Sequence, residues 1–359
     1  MKEQVMDKYI IYDEETQTYS MDPEQAVRDD VEKHHWLNTI KTIIKDWRLY
    51  LMLVPMLFVF FCWRYLPMYE LLGAFKYPVN NLPVAEQNYS GFAWFARILY
   101  ADSSRSIMFW RAFRNTFLLS FYGLCFGFPM PIIVALFFNE IKSNVYRSGI
   151  QVLTYLPKFM STVVMTTLTM MILSSGVGRD PGVVSQFLKW MGIVSEEAAN
   201  KGLLNDPQYF RAIYQITGIW EGAGYDSIVY FAAIIAISPT SYEAAQIDGA
   251  GKMAQMRHVV LPSILSTLVI MLINRIGSLL SVGYEKVYLL YNTSTWETAD
   301  VVSTLAMRWG GISGAGGGDS GVIGSAMGSA AEMMNNLTGM ILVIGANTIA
   351  RRVSDVSLY

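Results

Sequence analysis

A charged side chain stands inside an apolar segment of this chain. Arg275 follows Asn274 in the run SILSTLVIMLINRIGSLLSV, at residues 263–282. An arginine at membrane depth costs about 2.5 kcal/mol or more, and it usually faces protein or a water-filled cavity. Its guanidinium fork can bind a carboxylate through two N–H groups. Arg275, with Asn274, therefore either lines a polar pathway and binds a solute, or pairs with an acidic group such as Glu221.

Few other residues have types and spacing suited to chemistry. Trp220 and Tyr284 are further pathway candidates, because an aromatic ring can stack against a solute. No His, Asp or Cys residues converge as a membrane enzyme would require, and no ligand spacing indicates a metal site. The cysteines and histidines are Cys62 and Cys125, both in apolar runs, and His34, His35 and His258. We therefore predict no catalytic residue and no bound metal.

The composition indicates a protein of the membrane. The chain is 53% hydrophobic and 16% charged, whereas soluble domains carry about 25% charged residues. The apolar residues are clustered in runs of about 20, the length that crosses a bilayer. We predict an all-α integral membrane protein with six spans, at residues 49–66, 116–138, 150–173, 212–237, 263–282 and 322–350. Residues 1–46 form a polar extension, and 47–359 form the six-span domain.

Lysines and arginines near the span ends predict the orientation. They are denser before the first span, in the loop at 139–149, in the insert at 238–262 and after the last span. Both termini and the insert are therefore expected in the cytoplasm, with the loops at 67–112, 174–211 and 283–321 outside. We expect no secretory signal in the extension, because it has no short apolar segment followed by a small-residue cleavage site. It is expected to be partly disordered and to become helical toward residues 36–45.

The polar insert YEAAQIDGAGKMAQMRHVVLPSI, residues 242–264, separates the fourth and fifth spans. Ser241 can cap a short helix, and Gly249 allows the backbone to turn sharply. A second short helix is expected at about 252–260, and Pro262 suits the first turn of the next span. Such a knob either docks into a groove on another protein or forms an interfacial elbow without a partner.

The insert resembles the EAA loop of binding-protein-dependent ABC importer permeases. The matching residues are Glu243, Ala244, Ala245, Asp248, Gly249, Ala250, Leu261 and Pro262. Segments at 128–141, 151–164, 227–251 and 346–359 are similar to the sugar-importer branch, within it to permeases for oligosaccharides and polysaccharides. The resemblance thus extends over nearly the whole chain.

This resemblance implies a type I ABC importer permease (MetI-like) fold in a bacterial cell membrane. It implies that the chain pairs with a second, homologous permease, whose acidic residues could also pair with Arg275. A dimer of ATP-binding cassette subunits would hold ATP and Mg, so no cofactor is expected in this chain. The insert would be the ATPase-coupling helix, and a substrate-binding protein would dock outside. The expected cargo is a carbohydrate, specifically an oligosaccharide.

Two alternatives from other functional classes stay open at this point. A permease of the same fold could carry another solute, such as an amino acid or a phosphonate. A membrane scaffold or sensor could use the insert to bind a partner without transport. The Gly-rich stretch at 310–321 departs from the family pattern and lacks the lysine of a P-loop, so substrate contacts there are not transferred from the family.

Overall fold

The computed structural model describes residues 10–13, 18–21, 44–79, 82–100, 104–173, 182–311 and 322–353. These residues are mainly helical, which confirms the predicted fold class. The chain divides into two compact units, Met1–Glu70 and Leu71–Tyr359. The predicted boundary between an extension at 1–46 and a permease domain at 47–359 stays a prediction. The Gly-rich stretch from residue 312 to 321 lies outside the described residues.

The first unit contains a hairpin and an apolar helix. Strands β1 (Ile10–Asp13) and β2 (Thr18–Met21) pair antiparallel, with Ile10 opposite Met21. This hairpin was not anticipated from the sequence, and most of the helix expected at 36–45 lies outside the described residues. Helix α1 (Trp47–Phe60) is apolar on all sides, as expected for a segment covered by lipid or protein. It continues through π-helical and 3₁₀ turns to Phe75.

In the second unit, short helix α2 (Ala93–Leu99) precedes a long continuous helix. Helix α3 (Ser104–Tyr122) joins α4 (Pro129–Glu140) through a π-helical turn at Gly123–Gly127. The whole stretch forms one helix of 37 residues, Ser104–Glu140. Pro129 lies at the start of α4 and has no N–H to donate. The π-helical turn before it accommodates this lost hydrogen bond, so the helix continues without a sharp kink.

Several later helices are broken. Helices α5 (Asn144–Tyr155) and α6 (Thr162–Leu173) belong to segments that meet at 99°, and Pro157 lies in the 3₁₀ turn between them. Short helices α7 (Val183–Trp190) and α8 (Glu196–Lys201) lead into α9 (Pro207–Ile235). The insert follows as α10 (Pro239–Ile247), α11 (Lys252–Gln255), a π turn at Met256–Val260 and α12 (Leu261–Ser263).

The remaining helices lead from the fifth predicted span to the last long helix. They are α13 (Leu265–Gly277), α14 (Tyr284–Leu290), α15 (Trp296–Ala299), α16 (Val302–Trp309) and α17 (Val322–Val353). The fourth predicted span bends by 70° into α10, and the fifth bends by 66° where Lys252–Ser263 meets α13. Broken helices at membrane depth are tolerated where they line a cavity.

Within the described residues, two helices are long and apolar enough to cross a membrane, Trp47–Phe75 and Ser104–Glu140. Counting each of three bent pairs as one span raises this number to five. These five correspond to the first five predicted spans. Helix α17 covers the sixth as one continuous helix of 32 residues. The count of six spans stays a prediction.

Glycines bring the helices around α9 and α17 into close contact. A Cβ on Gly224 of α9 would lie 2.2 Å from the carbonyl oxygen of Thr154 in α5. A Cβ on Gly328 of α17 would lie 2.8 Å from the carbonyl oxygen of Ala306 in α16. Only glycine permits such backbone approaches. The first approach holds α9 against α5, and the second holds α17 against α16; α9 also packs against α4 and α13.

Candidate substrate cavity and coupling insert

A cavity of about 470 Å³ lies beside α9. Helices α4, α9, α13 and α14 and the turn after α5 all contribute side chains. Five of the lining side chains are charged, namely Lys158, Glu221, Asp226, Arg275 and Lys286. Three are cations and two are anions, so the cavity carries one net positive charge.

Arg275 lies in the last turn of α13, and its side chain is exposed to this cavity. No carboxylate among the described residues lies within 4 Å of its guanidinium. Glu221 instead pairs with Lys286 of α14 at 3.1 Å between Nζ and Oε2. The expected pair of Arg275 with Glu221 is therefore not formed, which leaves the guanidinium directed at the cavity.

Glycines provide space for the charged groups. A Cβ on Gly123, in the π turn after α3, would lie 3.0 Å from Nη2 of Arg275. On α9, a Cβ at Gly218 would lie 3.6 Å from Nζ of Lys286, and one at Gly222 would lie 3.3 Å from Oδ2 of Asp226. Larger residues here would crowd the charged groups or narrow the cavity.

The predicted pathway residues divide into two groups. Asn274, Arg275 and Glu221 line the cavity. Trp220 and Tyr284 are half exposed and are not among its lining residues. Lys158, Asp226 and Lys286 were missed, although Lys158 and Asp226 stand in predicted spans just as Arg275 does, and the same argument from membrane depth would have found them.

A second cavity of about 240 Å³ lies on the other side of Arg275. Four residues line both cavities, namely Tyr214, Gln215, Arg275 and Ser278. Gln215 is fixed, because its Nε2 donates a 2.6 Å hydrogen bond to the carbonyl oxygen of Leu119 in α3. The Arg275 side chain thus stands at the partition between two polar spaces.

The insert forms the predicted pair of short helices joined at Gly249. Gly249 has φ of 78°, in the region that favours glycine. Its N–H donates to the carbonyl of Gln246, and the N–H of Ala250 donates to that of Ala245. These bonds are those of a Schellman motif, which ends a helix with satisfied carbonyls. The first helix begins one turn earlier than expected, because Ser238 and not Ser241 is its N-terminal cap.

Much of the insert surface is exposed. Glu243, Ala244, Asp248 and Gly249 face solvent, and Ala245, Ala250 and Leu261 are partly covered. Two large apolar side chains that the sequence analysis did not single out, Ile247 and Met253, are 87% and 74% exposed. Exposed apolar groups beside a charged rim are typical of a protein-binding surface.

The underside of the insert rests on its own chain. Lys252 pairs with Glu140, the last residue of α4, at 3.0 Å. Tyr242 lies in a cavity of about 250 Å³ with Glu140 and Gln246. Burial raises the pKa of the Tyr242 phenol, so it stays neutral at ordinary pH. Pro262, the last residue of the motif, is exposed where the insert turns into α13.

Comparison with known proteins decides the family. Residues 127–282 match the family described as "Binding-protein-dependent transport system inner membrane component". LplB of Bacillus subtilis is 33% identical over 90% of this chain and 94% of its own length. The chain belongs to this family of transport permeases. The family resemblance predicted from the insert is thus confirmed.

Two further relatives of this permease carry informative descriptions. One is YteP of Bacillus subtilis, the polygalacturonan/rhamnogalacturonan transport system permease, 32% identical over 88% of this chain and 92% of its own. The other is a solved bacterial ABC transporter involved in the import of the acidic polysaccharide alginate. Its chain is 38% identical to this permease, with a TM-score of 0.73. The match covers 88% of this permease and 99% of that chain.

Proposed function

We propose that this permease is one membrane half of an ATP-driven importer that moves an oligosaccharide into the cytoplasm through the cavity beside α9. The observation that carries the proposal is the Arg275 guanidinium, exposed in a polar cavity of about 470 Å³ with no carboxylate partner among the described residues. The relatives that transport polygalacturonan, rhamnogalacturonan and alginate support a saccharide cargo.

In this proposal, the side chains of the cavity have different roles. Arg275 and Asn274 donate hydrogen bonds to sugar hydroxyls or a carboxylate. Glu221 and Lys286 neutralise each other, and the pair fixes α14 against α9. Tyr214, whose ring lies 5.4 Å from Nζ of Lys286, presents an aromatic surface near the partition. Trp220 and Tyr284 contact cargo only if another protein or conformation brings them to the cavity.

The insert transmits the ATPase cycle in this proposal. Its exposed residues Glu243, Ala244, Asp248 and Gly249 enter a groove on an ATP-binding cassette subunit, with Ile247 and Met253 as apolar contacts. Closure of the ATPase dimer then draws this insert toward that of a second permease and moves the helices attached to it. ATP and Mg bind to the ATPase subunits, and this permease performs no covalent chemistry.

A substrate-binding protein delivers the cargo from outside. The solved alginate transporter is in complex with a periplasmic protein that holds an alginate pentasaccharide, which supports such a partner here. Both termini and the insert are assigned to the cytoplasm. Single cysteines at Ser143 and at Asn200, both exposed, should react with an impermeant thiol reagent from opposite sides. Labelling of both from one side would contradict this topology.

The variant Arg275→Gln tests the cavity. Loss of a charge-assisted hydrogen bond of about 1.5–3 kcal/mol should lower transport about 10-fold or more. Assembly and basal ATP hydrolysis should be unchanged, and Arg275→Lys should retain part of the activity. Loss of assembly would show that Arg275 pairs with the second permease. Normal transport and assembly would overturn its role as a cargo contact.

A melting-temperature screen of the cognate binding protein tests the cargo. An oligosaccharide should raise the melting temperature, because a ligand that binds only the folded state stabilises it. Stabilisation by amino acids or phosphonates, and by no saccharide, would contradict the proposed cargo while leaving the transport family unchanged.

A further inference from the structure

Arginines from three helices converge near the middle of α3, on the predicted outer side. Asn115 of α3 is fully buried and connects them. Its Nδ2 donates to the carbonyls of Glu297 and Asp300 at 2.9 and 3.1 Å, and its Oδ1 accepts from Nη2 of Arg211 at 2.9 Å. Arg308 of α16 pairs with the Asp300 carboxylate at 2.5 Å. These contacts tie α3, α9 and α16 into one polar cluster.

The cluster contains more guanidinium donors than acceptors. Four arginines, namely Arg111, Arg114, Arg211 and Arg308, are accompanied by the carboxylates of Asp300 and Glu297. Nε of Arg111, Nε of Arg211 and Nη1 of Arg308 are buried, and none donates a hydrogen bond to another described residue. Buried donors are nearly always paired in folded proteins, and charged ones most of all. Arg308 also stacks on the Trp296 ring, with 4.3 Å between the guanidinium carbon and the ring centroid. The unpaired donor that belongs to a cavity-lining residue is therefore Nε of Arg111, and an anion between Arg111 and Arg114 would balance these two cations.

A cavity of about 550 Å³ opens onto this cluster. Its lining residues are Ser106, Ile107, Trp110, Arg111, Arg114 and Glu297. This volume falls in the range of small-ligand sites. The Trp110 ring is half exposed, and its Nε1 donates to the carbonyl of Leu99 at 3.4 Å, which holds the indole in place.

The lining matches the groups of an acidic sugar. Arg111 and Arg114 supply paired N–H groups for a carboxylate. The Trp110 face can pack against the C–H face of a sugar ring, and Ser106 and Glu297 can bond hydroxyls. A neutral sugar would use the ring surface and the hydroxyl partners but would leave the surplus cationic donors unpaired.

We propose that the Arg111–Arg114 cavity is an outer binding site for a carboxylate-bearing unit of the cargo. The inference rests on the proposed function that the cargo is an oligosaccharide, and it narrows that cargo to chains containing uronate units. The site is separate from the cavity beside α9, since the two share no lining residue. Arg111 and Arg114 would hold an acidic unit outside, and Arg275 would meet the chain deeper in.

The test uses the complete transporter in lipid nanodiscs, without its binding protein. Binding of a galacturonic acid trisaccharide is compared with that of the neutral maltotriose by calorimetry. The wild type should bind the acidic trisaccharide and not maltotriose. The double variant Arg111→Gln/Arg114→Gln should bind the acidic trisaccharide more weakly, by about 10-fold or more. The single variant Arg114→Gln should weaken trisaccharide binding by a smaller factor. Because it keeps the partly buried Arg111, it separates loss of binding from a folding defect.

Two controls locate the site. Arg97→Gln makes the same charge change at an exposed position of α2, outside the cavity lining, and should leave binding unchanged. Arg275→Gln should lower transport but leave trisaccharide binding at the outer site.

Three results would overturn the inference. The first is no binding of the acidic trisaccharide at millimolar concentration, and the second is equal loss of binding in Arg97→Gln. The third comes from a separate ATPase assay with the binding protein added. If the double variant loses stimulation by that protein with acidic and neutral cargo alike, the cavity binds an acidic side chain of that protein instead of cargo. Transport of a neutral oligosaccharide by the same complex would still uphold the proposed function.

Discussion

Two short helical hairpins of similar construction lie in opposite surroundings. We name them by the proposed topology: the outer hairpin, α15 and α16, turns at Asp300, and the inner hairpin, α10 and α11, turns at Asp248 and Gly249. Asp300 is fully buried, bound to Thr304 at 2.8 Å and to Arg308. Asp248 is exposed, and its carboxylate has no ion pair within the described residues.

The difference shows which hairpin is completed by its own chain. Val301, Val302 and Leu305 of the outer hairpin are fully buried in two of the hydrophobic clusters. The inner hairpin instead exposes Ile247 and Met253. The outer hairpin is therefore stabilised by internal packing, and the inner one has the surface expected of an element that another protein completes. Substitutions should follow this division.

The largest effect is expected for Asp300→Ala. It leaves the Arg308 guanidinium, 6% exposed, without its carboxylate, and such a loss destabilises by about 3–5 kcal/mol. The melting temperature and yield of the purified transporter should fall sharply. Asp248→Ala is the matched control, and its melting temperature should stay near wild type. Equal destabilisation by both would contradict the division between the hairpins.

Gly249→Val should act on coupling instead. A β-branched residue at φ of 78° is strained by about 1–3 kcal/mol, and the turn must shift. Transport and the stimulation of ATP hydrolysis by cargo should be lost at wild-type expression. Gly251→Val makes the same change at φ of −69° with open space around the Cβ position, so it should retain activity. Normal transport by Gly249→Val would refute the coupling role.

The exposed apolar residues Ile247 and Met253 test whether another protein covers the inner hairpin. Ile247→Ser and Met253→Ser should each weaken association with the ATPase by about 1 kcal/mol or more, because contact residues of this type often contribute that much. The stability of the permease itself should not change. The control is Val183→Ser on α7, which is 78% exposed and lies in a loop that the proposed topology assigns to the outside. An unchanged ATPase affinity in both insert variants would show that this face is not a contact surface.

The smallest effect is expected for the tether between Lys252 and Glu140. Its side chains are 71% and 38% exposed, and pairs of this kind contribute about 0–1 kcal/mol. Lys252→Gln should therefore lower the cargo-stimulated ATPase rate only slightly. The double exchange Lys252→Glu with Glu140→Lys should restore it. A loss as large as that of Gly249→Val would show that the tether fixes the insert angle.

The sequence alone predicted the features whose causes are local. Helical class and apolar spans follow from composition and run length, and the insert follows from a short motif. Gly249 has the positive φ that its place in the motif indicated, because a sharp turn after a helix constrains only a few neighbouring residues. The cost of polar groups at membrane depth predicted that Arg275, with Asn274, either lines a cavity or pairs with an acid such as Glu221.

Only the tertiary structure decided which of these groups meet. Glu221 pairs with Lys286, 65 residues away, and not with Arg275, since the partner depends on how α9, α13 and α14 pack. Trp220 misses the cavity that its neighbour Glu221 lines, because one step along a helix turns a side chain by about 100°. The outer arginines are about 100 and 200 residues apart, so no local pattern could reveal their shared surplus of donors. Pairing between distant charges is a property of packing, and the helical period and hydropathy of each segment do not determine it.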